Sequence, residues 1–232
     1  MSVRKIIAIT QLSLDGVMQA PGGPEEDPQG GFTHGGWAMI FDDDLVPKYL
    51  EKLMAGKFDL LLGRRTYDIW VGYWPHHVDN FIGKAFDKAV KYVVTRGSKP
   101  LPWKDSVRIG APSGTALEGI RKLKKTKGPD LHVWGSGNLL QSLIKARLVD
   151  EHQIWIFPAV LGYGKRLFEP GTPPHRLKLV ETKAGSGGVL INTYRQDGSI
   201  PSVPMARIKA KTKAGEAVAR KAATKKPAKR KG

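Results

Sequence analysis

The chain has 232 residues, a formal net charge of +17 at pH 7 and no cysteine, so disulfides, cysteine-ligated metals and a thiol nucleophile are excluded. Its length allows one good-sized domain, alone or with an appendage, and a hydrophobic content of 41% is enough for a globular core. No apolar run approaches the ~20 residues that span a bilayer, and the first residues lack the features of a secretory signal. We therefore expect a cytoplasmic protein without membrane contact.

The first half of the chain predicts strands that alternate with helices. The opening segment RKIIAITQLSL is rich in β-branched and apolar residues and predicts a buried strand. After a Gly- and Pro-rich loop, residues 42–56 place apolar side chains at helical spacing behind three aspartates, which predicts a helix. FDLLL at 58–62 and KYVVT at 91–95 predict two further strands, with a short helix from Thr66 after the first of them.

The second half continues this alternation and closes with a hairpin. Thr115 and Glu118 have the spacing of a capping box and predict a helix start. LHVWG and HQIWIFPAV predict strands on either side of the helical segment NLLQSLIKARL, and 177–184 and 188–194 predict an antiparallel hairpin. Such alternation implies right-handed crossovers and a mainly parallel sheet covered on both faces. The predicted fold class is three-layer α/β/α with an antiparallel C-terminal hairpin.

The positive charge is concentrated near the C-terminus. Residues 203–232 contain eleven Lys or Arg and one acid, Glu216, so they carry ten of the seventeen net charges. They contain no aromatic residue and cannot bury enough apolar surface to order themselves. We predict a domain at 1–198 and a disordered Lys/Ala/Pro-rich tail at 199–232. The tail would bind nucleic-acid phosphates without reading bases, or it would only increase solubility.

Three predicted strand ends carry residues suited to binding phosphate. They are Gly63-Arg64-Arg65-Thr66, Thr95-Arg96 and Gly135-Ser136-Gly137-Asn138. In sheets of this type, ligands collect at the carboxyl ends of the strands. Glycine permits close backbone approach, a helix start attracts anions, and arginine donates forked hydrogen bonds to phosphate. Each segment alone could be an ordinary turn, but three at one edge predict a nucleotide site, with the second suited to a ribose or its 2′-phosphate.

The order of the motifs SLDG, LLGRRTYDIW, YVVTR, HVWGSGNLLQSLIKARLVDE and PAVLGYGKRLF resembles the dihydrofolate reductase-like family. More narrowly, residues 4–196 are similar to the reductase domain of bacterial riboflavin biosynthesis. The resemblance implies an eight-stranded sheet, an NADPH cofactor held at the three segments above, and a homodimer. The chain departs from the riboflavin enzymes where they often carry Glu-Gly-Gly, because residues 135–137 are Gly-Ser-Gly. It also lacks a clean equivalent of the helix carboxylate with which dihydrofolate reductases help protonate their substrate.

Candidate substrate residues come from the same resemblance. Asp15, in the SLDG motif, is the first candidate to bind substrate or assist a proton step, and Gly16 makes room beside it. The alternative is that Asp15 and Gly16 form an ordinary turn. Trp37 and Trp74 are candidates for an aromatic wall against a flat heterocycle, or else they belong to the core. Residues 20–36 are long enough to form a lid, and no metal site is expected.

These observations lead to two functional hypotheses. The first is an NADPH-dependent reductase of a small pterin- or pyrimidine-like compound, in which the cofactor carries the chemistry and the protein positions it. The second is a nucleic-acid-associated protein that binds DNA through residues 203–232 and retains a relict reductase fold. Cofactor binding by the folded domain would distinguish them.

Overall fold

The computed structural model of the protein describes residues 3–110 and 115–202. Contacts within the chain group Met1–Gly198 into one unit and Ser199–Gly232 into another. The basic segment 203–232, on which the DNA-binding hypothesis depends, lies outside the described residues. Over the two described ranges, no helix combines the length and the apolar character needed to cross a bilayer.

Eight strands form a single sheet. They are β1 (Ile6–Ser13), β2 (Phe58–Gly63), β3 (Lys91–Val94), β4 (Ser106–Ile109), β5 (Asp130–Trp134), β6 (Glu151–Phe157), β7 (Leu177–Ala184) and β8 (Leu190–Gln196). Their order across the sheet is β4-β3-β2-β5-β1-β6-β8-β7. The first six strands pair in parallel, whereas β8 pairs antiparallel with both β6 and β7. The predicted fold class, including the antiparallel C-terminal hairpin, is therefore confirmed.

Helices cover both faces of this sheet. They are α1 (Leu45–Ala55), α2 (Arg64–Val71), α3 (Phe81–Lys88), α4 (Ala116–Lys124) and α5 (Gly137–Lys145). Buried side chains of α4 and α5, such as Ile120 and Leu140, pack in one core cluster with Ile6 and Leu131 of the sheet. The opposite face packs against α1, α2 and α3, where Tyr67 and other large side chains form two further clusters. The core is therefore split by the sheet into two apolar layers.

The structure differs from the sequence prediction at three elements. The helix expected at 42–56 begins only at Leu45, because the carboxylate of Asp43 turns back to accept from the Leu45 N–H at 2.9 Å and from the Gly187 N–H at 2.8 Å. The aspartates before α1 therefore hold the β7–β8 turn instead of continuing the helix. Strand β4, a four-residue strand at the edge of the sheet, and helix α3, whose start depends on the Asn80 cap, were not predicted.

Parallel pairing brings the three predicted phosphate-binding segments to one edge of the sheet. Strand β2 lies between β3 and β5, with Gly63 opposite Val94 and Leu60 opposite His132. Parallel strands have their carboxyl ends at the same edge, so the residues that follow β2, β3 and β5 share that edge. We call them the first bend (63–66), the second bend (95–96) and the third bend (135–138).

Candidate functional site

Ser136 connects the first bend to the third. Its hydroxyl oxygen accepts a hydrogen bond from the Gly63 N–H at 3.0 Å and donates one to Thr66 Oγ1 at 2.8 Å. A Cβ added at Gly63 would lie 3.3 Å from that hydroxyl oxygen, so a larger side chain would press on the bond that joins the bends. Two segments that are 70 residues apart in sequence therefore form one continuous surface.

The third bend has an unusual backbone. Gly135 and Ser136 both have a φ of +60°, in the left-handed region that L-residues other than glycine seldom adopt. Strain of this kind persists only where the surroundings hold it, and here the two bonds of the Ser136 hydroxyl do so. Within the described chain, neither α2 nor α5 has a side-chain cap at its first turn. The first amides of a helix have no intrahelical partner, which makes both starts suitable for an anion.

The loop that follows the second bend is joined to the first bend through Arg64. The Arg64 guanidinium donates to the Lys99 carbonyl at 3.0 Å and to the Asp68 carboxylate at 2.8 and 2.9 Å, and this carboxylate raises the pKa of Arg64. Arg108 of β4 also donates to the Lys99 carbonyl, at 2.6 Å, and so fixes the loop after β3. The side chain of Arg96 is exposed beside this loop. Direct hydrogen bonds thus join the first and third bends, and the loop after the second bend contacts the first.

Arg65 points away from its neighbour, toward the Gly- and Pro-rich loop 20–36. Its guanidinium forms an ion pair with Asp27 at 2.7 Å and donates to the side-chain oxygen of Gln29. Lys165 reaches the same two residues, at 2.6 Å from the Asp27 carboxylate and 2.8 Å from the Gln29 oxygen. The two arginines are adjacent in sequence, but Arg64 contacts the loop after β3 and Arg65 contacts loop 20–36.

A cleft lies between loop 20–36 and the third bend. It has a volume of about 450 Å³, and its walls include Gln19, Gln29, Phe32, Asn138, Tyr163 and Lys165. The loop is attached to the far wall, since the Thr33 Oγ1 and the Tyr163 hydroxyl lie 3.0 Å apart. The rings of Phe32, His34 and Tyr163 meet edge-on, with centroids 5.6 to 5.8 Å apart. The loop that we predict to be a lid thus forms one wall of the cleft that contains Asn138.

Asp15 follows β1 at the same edge, where its carboxylate is engaged by the protein. It accepts from the Ser13 hydroxyl at 2.6 Å and from the N–H groups of Leu161 and Gly162 at 3.1 and 2.9 Å, and Arg166 lies 3.6 Å away. The Ser13 hydroxyl, followed by the two amides, lowers the pKa of Asp15. A carboxyl group of this kind is ionised at neutral pH and has no proton to donate. Asp15 therefore anchors the 161–162 backbone, and its Gly16 has a φ of +85°, as the predicted turn requires.

The two tryptophans proposed for an aromatic wall lie in different core clusters. Trp37 is 4% exposed, donates its ring N–H to the Gln19 carbonyl at 2.8 Å and packs edge-on against Phe157. Trp74 is half-buried and packs against Phe86 on the other side of α1. The structure does not bring these two rings together. Phe32 and Tyr163 instead supply the aromatic surface of the cleft.

Sequence reasoning did not identify Asp27, Gln29 and Lys165. The only sequence signals were an acidic and amide-bearing stretch, PEEDPQ, inside a Gly- and Pro-rich loop, and a lysine in the GYGKRLF motif. Neither stretch has a periodicity that would place it at the edge of a sheet. The contact between them appears only when β1 and β6 pair side by side and their following loops meet.

Comparison with known proteins agrees with this fold. The family model of the RibD C-terminal domain matches residues 4–191. A protein of Bacillus subtilis (strain 168) called "Uncharacterized protein YyaP" is 31% identical over 199 residues, which cover 84% of this chain and 96% of that protein. A Shewanella sp. PV-4 structure described as a riboflavin biosynthesis protein superimposes with a TM-score of 0.63 at 21% identity, covering 83% of this chain and 99% of that one.

Two further structures share the fold at lower identity. Dihydrofolate reductase from Enterococcus faecalis, solved in complex with NADP(H) and RAB-propyl, has a TM-score of 0.54 at 13% identity and covers 83% of this chain and 96% of its own. A structure from Thermotoga maritima has a TM-score of 0.56 at 13% identity, and the match covers 84% of this chain and 57% of that one. That protein is described as a diaminohydroxyphosphoribosylaminopyrimidine deaminase/5-amino-6-(5-phosphoribosylamino)uracil reductase. The similarity to solved structures concerns the fold, whereas the family match spans most of the sequence. The chain belongs to the RibD C-terminal domain family.

Proposed function

We propose that the protein is an NADPH-dependent reductase of a small pterin- or pyrimidine-like compound. The observation that carries this proposal is the placement of the three bends after neighbouring parallel strands, with Ser136 joining the first to the third. Arg64 also joins the first bend to the loop that follows the second. The family match supports a reductase, because the chain's structural neighbours include a deaminase/5-amino-6-(5-phosphoribosylamino)uracil reductase and a dihydrofolate reductase complexed with NADP(H).

The bends suit the parts of a dinucleotide in a definite order. The uncapped starts of α2 and α5, together with the Thr66 hydroxyl, would hold the pyrophosphate. Arg96, exposed beside the loop that Arg64 fixes, would take the 2′-phosphate of the adenosine ribose. Arg65 is directed to the opposite side, so we assign the preference for NADPH over NADH to Arg96 and Arg64.

The cleft beside the third bend would hold the substrate. The chemistry that a bound NADPH supplies is the delivery of hydride from its nicotinamide C4 to an electrophilic C=N or C=O carbon. Asn138 offers an amide to the edge of a heterocycle, and Phe32 and Tyr163 offer an apolar face. Asp15 would act indirectly, by holding the 161–162 backbone that precedes Tyr163.

Paired measurements of cofactor affinity test this assignment. A charged hydrogen bond to phosphate contributes about 1.5–3 kcal/mol, so Arg96→Ala should weaken NADPH binding by about tenfold or more. Binding of NADH, which lacks the 2′-phosphate, should change less than about twofold. Arg121→Ala, an exposed arginine on α4, is the matched control and should leave both affinities unchanged. Equal losses for NADPH and NADH in Arg96→Ala would contradict the assignment.

Turnover needs a second experiment. NADPH oxidation should be measured with three candidate substrates: dihydrofolate, dihydropterins and 5-amino-6-(5-phosphoribosylamino)uracil. Oxidation that depends on one of these compounds, and that falls in Ser136→Ala, would support the reductase. If NADPH does not bind, and the full-length chain binds DNA while the domain ending near Gln196 does not, the nucleic-acid hypothesis replaces it.

A further inference from the structure

Loop 20–36 inserts a carboxylate between two cations at the mouth of the cleft. The Asp27 side chain is 15% exposed and lies within ion-pair distance of Arg65, at 2.7 Å, and of Lys165, at 2.6 Å. The cations themselves remain accessible, with 52% of the Arg65 side chain and 32% of the Lys165 side chain exposed. The side-chain oxygen of Gln29 lies against the same two cations. One anionic group therefore satisfies two basic residues that come from distant parts of the chain.

The backbone of the loop is also held by contacts that do not involve this carboxylate. Gln19, which is 4% exposed, donates its amide to the carbonyls of Asp27 and Gln29 at 2.9 and 2.8 Å. The side-chain oxygen of Gln19 accepts the Lys165 N–H at 3.0 Å. The backbone of the loop is thus fastened to the opposite strand-end loop by one buried amide. Within the loop, the Asp27 carboxylate accepts the Gln29 N–H at 3.3 Å, a longer contact than either of its ion pairs.

We propose that Arg65 and Lys165 form an anion-binding site that the chain's own Asp27 carboxylate occupies, so that a phosphate group of the ligand must displace it. A carboxylate and a phosphate oxygen present the same acceptor geometry to a guanidinium. Lys165 and Gln29 line the cleft, and Asn138 at the start of α5 lines it too, so a phosphate there lies beside the dinucleotide position. The proposal rests on the proposed function for the identity of the ligand but not for the existence of the site.

This arrangement makes loop 20–36 a competitor of the ligand. Binding of a phosphate would release Asp27 from Arg65, while Gln19 would keep the loop tethered. The free energy of the Asp27 ion pairs is subtracted from ligand affinity, because those pairs are broken on binding. Removing the carboxylate should therefore tighten phosphate binding, whereas removing a residue that contacts the ligand would weaken it.

Binding of inorganic pyrophosphate to the full-length chain, measured by isothermal titration calorimetry, tests the proposal. Asp27→Asn should bind pyrophosphate about tenfold more tightly than the wild type. Asp27→Ser removes the same carboxylate, should also bind more tightly, and replaces Asp27→Asn if that variant folds poorly. Glu25→Gln is the matched control, because Glu25 is exposed in the same loop and its loss changes the net charge equally. It should change the affinity less than twofold. In the double variant Asp27→Asn/Arg65→Ala the gain should disappear.

The proposal is overturned if pyrophosphate binding is unchanged or weakened in Asp27→Asn. It is also overturned if the gain in affinity survives the loss of Arg65, or if no variant binds pyrophosphate. Parallel titrations with NADPH and with ribose 5-phosphate show whether the displacing phosphate belongs to cofactor or substrate. If NADPH binds no variant but the pyrophosphate pattern holds, the proposed function fails and the anion site stands. If NADPH binds and Asp27→Asn brings no gain, the function stands and the competing carboxylate is refuted.

Discussion

The left-handed backbone at Ser136 allows a prediction in which the smaller side chain gives the more stable protein. Ser136 has a φ of +60° and a ψ of +57°, and its hydroxyl bonds both Gly63 and Thr66. Ser136→Ala removes the two bonds and keeps the Cβ that makes this conformation costly. Ser136→Gly removes the same two bonds and the Cβ as well. The pair of variants therefore separates the hydroxyl bridge from the backbone strain.

The expected magnitudes follow from these contacts. Loss of the hydroxyl leaves the half-buried Gly63 N–H without its acceptor, which costs about 1–3 kcal/mol. A left-handed conformation costs an L-residue about 1–2 kcal/mol, and glycine recovers this while losing about 0.5–1 kcal/mol through its greater freedom in the unfolded chain. We expect Ser136→Ala to lower the free energy of unfolding by about 2 kcal/mol, and Ser136→Gly to lower it by about 1 kcal/mol less.

Urea denaturation of the wild type and both variants measures these differences, provided that the slope of free energy against urea is the same in all three. If Ser136→Gly is no more stable than Ser136→Ala, the backbone at this position is not strained. If neither variant is destabilised, the hydroxyl does not hold the first and third bends together. In that case the geometry on which the nucleotide site depends loses its main support.

Buried titratable groups predict two pH effects on stability. Lys91 is fully buried, and burial lowers its pKa to about 8 from the 10.5 expected in the unfolded chain. The unfolded chain therefore binds more protons between these values, so stability should rise with pH from about 8 to 10.5, and urea unfolding of Lys91→Met should lack that part of the rise. Burial lowers the pKa of His132 and of His152 to about 4. Stability should fall as pH falls from about 6.5 to 4, by up to about 1.4 kcal/mol per pH unit for each histidine. His152→Gln should flatten that fall, whereas the exposed His34→Gln should not; equal slopes in the two variants would refute the assignment.

Much of the fold was accessible from sequence because the strong patterns are local. The apolar run at β2 and the capping box at Thr115 each fix an element through neighbouring residues, and both are present in the structure. The edge strand β4 was missed because its alternation of polar and apolar residues spans only four positions, Ser106–Ile109, and all four are at least partly exposed. Helix α3 was missed because its start depends on a single cap, the Asn80 side chain, which accepts from the N–H groups of Ile82 and Gly83.

The sequence predicted the side of the candidate site that the three bends form, but not the side that loop 20–36 forms. The three bends follow apolar strands directly, so parallel pairing alone brings them together. The contacts of Asp27 could not be predicted, since its partners Arg65 and Lys165 are 38 and 138 residues away and the loop has no regular structure. Likewise, residue type does not show that Trp37 belongs to the core, which follows from its 4% exposure.

The location of a bound nucleotide is the most direct test of the central claim that the three bends form one cofactor site. A crystal structure of the full-length chain with NADPH should place the pyrophosphate against the starts of α2 and α5 and the 2′-phosphate beside Arg96. The claim is contradicted if density for the nucleotide lies at any other surface. It is also contradicted if, at saturating NADPH, the three bends make no contact with the nucleotide.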